Sequence, residues 1–150
     1  MTKLVRFCAM HLFPELCNDD YKVLVKFLYT LERGVDGETA YYGDRISPRK
    51  CIIKIDAKLK LSRMTRVLIH EMVHVKQFFK EELVNLGANS NFEYMWKHGL
   101  YDITDENYWM LPWEIEAYGY ELCIYNTFIQ TYDLPKLLLN LDYSSILDRM

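Results

Sequence analysis

Residues 62–82 read SRMTRVLIHEMVHVKQFFKEE, and the rest of the fold is organised around them. Ser62 is a natural N-cap, so the pattern predicts a helix over residues 63–82. Met64, Val67, Leu68, Ile69, Met72, Val73, Val75 and Phe78 make it apolar almost all the way round. A helix of that kind is buried on most sides. His70, Glu71 and His74 interrupt it, and burying them unpaired costs on the order of 2–7 kcal/mol per group.

His70-Glu71-Met72-Val73-His74 is an H-E-x-x-H motif. At about 100° per residue, the two histidines are only about 40° apart around the axis and one turn apart along it. Their imidazoles can converge on one metal ion, with Glu71 displaced toward a water beside that ion. Zn²⁺ chemistry asks for this set: neutral imidazoles, an open position for water, and a carboxylate to take the water's proton. At this chain's own His and Glu frequencies, chance gives the motif in roughly one such chain in a hundred.

A catalytic zinc site takes three protein ligands, so a third must come from elsewhere. The extended pattern H-E-x-x-H-x-x-G-x-x-H is excluded, because Gln77 and Lys80 occupy the positions where it needs Gly and His. Glu114 and Glu116, in the stretch LPWEIEA at 111–117, are two candidates, and His98 is the third. The two glutamates point about 200° apart on a helix, so both cannot face one ion. Whichever is not a ligand, or Glu121, is suited to accept the other ring N–H of a ligand histidine.

Outward from the motif, residues 18–33 carry Leu24, Phe27, Leu28 and Leu31 at helical spacing and predict a helix ended by Gly34. Residues 40–46 and 51–56 read as strands joined at Ser47-Pro48, a hairpin. Residues 85–91 read as a loop. Residues 92–96 and 100–103 flank Lys97-His98-Gly99 as a second hairpin. Pro112 opens a further helix to about Tyr132, with Ile115, Leu122, Ile124, Phe128 and Ile129 giving it apolar surface. A last helix begins at Pro135. The reading is a single α+β domain over residues 1–150.

Composition narrows the roles. The chain has 150 residues, 51% hydrophobic and 26% charged, enough for one core without disulfide staples. Twenty-one acids against 18 bases give a net charge of -3, which argues against a nucleic-acid partner. Cys8, Cys17, Cys51 and Cys123 form no C-x-x-C pair and read as buried small hydrophobes in a reducing compartment. The first 17 residues make a poor signal peptide, and no apolar run approaches the ~20 residues needed to cross a bilayer. A cytoplasmic protein without a membrane partner is expected. His11 reads as structural, and Trp96, Trp109 and Trp113 as core or cleft wall.

The pairing of HEMVHVKQ at 70–77 with LPWEIEAY at 111–118 resembles small gluzincin-type zinc metallopeptidases, particularly compact ones carried by phages and bacteria. The likeness spans about residues 40–130. It implies a minimal zincin-like fold: a small mixed or antiparallel sheet on a buried H-E-x-x-H helix, with a downstream glutamate helix. It further implies an edge strand, read here as residues 51–56, that pairs with an extended substrate. The E-x-x-A signature matches residues 114–117 and favours Glu114 as third ligand to Zn²⁺. A ligand at His98 would instead fit a SprT-like arrangement. At this length there is no room for a second substrate-binding lobe.

The implied activity is hydrolysis of a peptide or protein substrate, with Glu71 as general base. Tyr94, Tyr101, Tyr108, Tyr118, Tyr120 and His98 are the candidates to donate to the oxyanion. Two other readings compete: a zincin-like binding protein with a structural or inactive metal site that captures a partner peptide, and a metal-free helical interaction module.

Overall fold

The computed structural model describes residues 1–18, 20–31, 34–87, 93–102 and 108–132. Among these, helix α1 (Thr2–Leu12) and a 3-10 turn (Pro14–Leu16) precede strands β1 (Lys22–Leu28), β2 (Gly37–Tyr42) and β3 (Lys50–Asp56). Helix α2 (Leu61–Phe79) follows, then β4 (Leu83–Asn85), β5 (Tyr94–Trp96), β6 (Gly99–Tyr101), a 3-10 turn (Tyr108–Met110) and helix α3 (Pro112–Tyr132). The architecture is α+β, as expected.

Helix α2 is the centre of the molecule. Fifteen of its 19 residues are buried, which is what an all-round apolar helix demands. It packs against β2 and β3 and also against α1 and α3, which touch each other. The N-cap is Lys60 rather than Ser62, and no side chain caps the helix.

The first sheet has the order β1-β3-β2, with β1 parallel and β2 antiparallel to β3. Alternation along β3 turns Cys51, Ile53 and Ile55 into the core and leaves Lys50, Ile52, Lys54 and Asp56 on the far face. There Lys54 pairs with Glu38 of β2.

Two expectations fail together at this sheet. Residues 22–28, read as part of a helix, form a strand: Val23 and Val25 pack inward at period two, while Leu24 is 50% exposed and Phe27 39% exposed. Two β-branched residues at alternate positions suit a pleated surface better than a helix. With β1 in the sheet, β3 is its central strand and no edge. Among the described residues, the edges of the sheet are β1 and β2.

The second sheet, β4-β5-β6, is antiparallel and contains the expected second hairpin. Lys97 and His98 make its turn at φ 44° and 76°. β4 was unforeseen. Helix α3 has the expected bounds, and Pro112 sits where a missing N–H costs nothing. Its buried stripe differs from the one read in sequence. Trp113, Glu114, Ala117, Glu121, Ile124 and Phe128 face inward, while Ile115 (54%) and Leu122 (58%) are exposed. Trp113 and Trp96 are core, in contact with Tyr94 and Tyr101.

Cys8 and Cys51 are buried as expected, but Cys17 and Cys123 are exposed; all four are free. His11 bonds to the Phe7 carbonyl at 2.8 Å and stacks on its ring, a structural role. Among the described residues, no helix is long and apolar enough to cross a membrane. The helix expected from Pro135, Phe92 and Ile103 lie outside the described residues.

Candidate metal centre

Helix α2 presents His70 and His74 one turn apart, and the first turn of α3 brings Glu114 to them. The two Nε2 atoms are 3.2 Å apart. Glu114 places Oε2 3.3 Å from the His70 Nε2 and Oε1 3.4 Å from the His74 Nε2, its carboxylate straddling the gap between them.

The tautomers follow from the neighbours. Gln77, fully buried, donates from Nε2 to the Trp113 carbonyl at 2.9 Å and to Glu116 at 3.0 Å. Both partners can only accept, so the Gln77 Oε1 must be the atom that faces His74 Nδ1, at 2.8 Å. His74 Nδ1 therefore carries the proton, and the lone pair of Nε2 points into the site. Glu121 faces the other ring: its Oε2 lies 3.4 Å from His70 Nδ1 as an ion-pair contact, while Arg66 holds its Oε1 at 2.7 Å. Such outer partners fix ring orientation and ligand basicity.

The donor set fits a zinc ion. Donors about 2.0–2.1 Å from a tetrahedral ion lie about 3.3–3.4 Å from each other, close to the separations observed. Glu114 Oε2 and His70 Nδ1 are both buried with no hydrogen-bond partner, and the carboxylate oxygen leaves a lone pair open to a positive group, either an ion or the His70 imidazolium. Three buried carboxylates, of Glu71, Glu114 and Glu121, surround two imidazoles and call for positive charge. Burial pulls the His70 imidazolium down, but Glu114, Glu121 and the charge of Glu71 outweigh it, and its pKa is pushed up to about 9. Burial acts to raise Glu114 as well, yet His70, His74 and Tyr108 hold it below its ordinary value.

Glu71, one residue along from His70, is 5% exposed, and burial pushes its carboxyl above the usual range against the pull of His74 and the Thr39 hydroxyl. It borders a cavity of about 250 Å³, also lined by Gly37, Arg63, His70, Tyr108, Trp109, Tyr118 and Glu121. Tyr108 lies within hydrogen-bonding reach of Glu114, and Tyr118 lies against the His70 ring at 4.5 Å between centroids. Burial and the nearby carboxylates raise both phenols, so each stays protonated as a donor.

The remaining candidates lie elsewhere. Glu116 points away from the histidines, bonded to Lys76 and Gln77 at 3.0 Å and facing Lys97 at 3.3 Å. His98 is exposed in the β5–β6 turn. Tyr94 and Tyr101 pack on Trp113, and Tyr120 lies beside Lys76. Two residues went unread as parts of the site. Gln77 had a signal, standing three residues after His74 on the same face; Thr39 had none.

Comparison of the chain with protein-family models, curated proteins and solved structures gives no match. The geometry itself establishes a buried His-His-Glu group able to hold a metal ion.

The role of Glu121 is testable. Glu121→Gln is expected to leave the three metal-ligating groups in place but to weaken the affinity for added zinc about 10–100-fold, measured by competition with a chelator. An unchanged affinity would show that the carboxylate does not orient His70.

Proposed function

We propose that the chain is a zinc-dependent hydrolase of peptide or other amide bonds, with His70, His74 and Glu114 as the metal ligands. The observation that carries this reading is the buried triad with Glu71 beside it, His70 and Glu71 lining one cavity of about 250 Å³. The paired motifs at 70–77 and 111–118 support it, since they resemble gluzincin peptidases.

Zinc, when bound, supplies Lewis acidity and brings the pKa of water toward about 7. The protein's own groups do the rest. Glu71 accepts the water's proton and returns it to the leaving nitrogen. Tyr118, a neutral phenol on the cavity wall, serves as donor to the oxyanion that develops at the carbonyl, while Tyr108 gives its one proton to Glu114. An extended substrate adds to β2, the edge strand that meets α2 at Glu71.

The test is metal content followed by turnover. The purified chain is expected to bind close to one zinc equivalent and to cleave members of a peptide library. It should lose that activity on chelation and regain it with zinc. A fully zinc-loaded protein that cleaves no peptide or simple amide would overturn the hydrolase reading in favour of a binding role.

A further inference from the structure

Glu71 is held by a second element besides the helix that carries it. Thr39 Oγ1, on β2, lies 2.7 Å from Glu71 Oε2 and 3.2 Å from the Glu71 backbone carbonyl. A hydroxyl has one proton to give, and the shorter, charge-assisted bond to the carboxylate takes it. Thr39 is also stiff about χ1, because it is β-branched.

Gly37, two residues earlier and on the same face of the strand, completes the arrangement. A β carbon there would meet Val67 Cγ1 at 2.5 Å and Glu71 Oε1 at 3.0 Å. Strand and helix are therefore too close at this point for any side chain. One oxygen of Glu71 is tied to Thr39, and the other lies over the gap that glycine leaves. Both Gly37 and Glu71 border the cavity.

We infer that Thr39 is a positioning residue for Glu71: its hydroxyl fixes the carboxylate, so that Oε1, over Gly37, is the oxygen that takes and returns the proton. This rests on the reading of Glu71 as general base. It also goes further, because it names the working oxygen and makes the substrate-binding strand part of the base's support.

Thr39→Val keeps the shape and removes the donor, while Thr39→Ser keeps the donor and removes the methyl. Zinc-loaded Thr39→Val is expected to hold its full metal equivalent and wild-type KM while kcat falls about 10–100-fold. Thr39→Ser should stay within about twofold of wild type, since it retains the hydrogen bond. A kcat unchanged in the valine variant, or lowered equally in both, would reduce Thr39 to packing and overturn the inference. Crystal structures of the zinc-loaded wild type and Thr39→Val decide the point even if no peptide is cleaved. A carboxylate swung away from its wild-type place supports the inference, and one that stays put overturns it. Absence of turnover in the wild type bears only on the hydrolase reading.

Discussion

On the proposed hydrolase reading, glutamine in place of Glu71 is expected to leave the protein loaded with zinc and to lower peptide hydrolysis by about 10²–10⁴-fold, the usual contribution of a positioned general base. The substitution is close to isosteric, and Thr39 can still donate to the amide oxygen, so the fold has little reason to change. None of His70, His74 and Glu114 is touched. Glutamine cannot take a proton from water near neutral pH, so the loss should fall on kcat. The measurement is a progress curve on any cleaved peptide, with zinc content determined on the same sample. A variant that keeps its zinc and full activity would remove Glu71 from the mechanism.

The second large effect concerns the third ligand. Glu114→Ala is expected to lose zinc, with affinity falling by more than the about 10–100-fold of an outer-shell change. Glu116→Ala and His98→Ala should each retain one equivalent. The two glutamates are two residues apart on α3, yet their surroundings are opposite. Glu114 faces two imidazoles across 3.3 and 3.4 Å, whereas Glu116 is occupied by Lys76, Gln77 and Lys97. Glu116→Ala should therefore show itself as lost stability, about 1–3 kcal/mol, because it strips partners from the buried Lys76 and Gln77. Zinc lost from His98→Ala but retained by Glu114→Ala would reassign the centre.

What was legible in the sequence was what local periodicity encodes. The burial of α2, the convergence of His70 and His74, and the divergence of Glu114 from Glu116 all follow from 3.6 residues per turn. The errors came from pairing over long distances. Leu24, Phe27, Leu28 and Leu31 happen to fall at helical spacing, and only the neighbouring β3 reveals that Val23 and Val25 are the inward residues. The edge strand that the resemblance implied at residues 51–56 fails for the same reason, since β1 pairs on the side that would have been open.

On α3, apolarity alone suggested Ile115 and Leu122 as buried, whereas Glu114 and Glu121 occupy inward positions because His70 is there to meet them. Gln77 carried a local signal only for its contact with His74, three residues before it on the same face. Its bonds to Trp113 and Glu116 span 36 and 39 residues and leave no local trace. Thr39 reaches Glu71 over 32 residues in the same way.

The triad joins His74 to Glu114, 40 positions apart in the chain, so an ion held there would be a removable cross-link between α2 and α3. Whatever binds the folded form alone stabilises it by mass action. Free zinc at about a thousand times its Kd adds roughly 4 kcal/mol. That is a large part of the 5–15 kcal/mol on which a domain of this kind usually survives. On the proposed reading, the supply of free zinc around the protein would thus set how long each copy lasts as well as whether it can work.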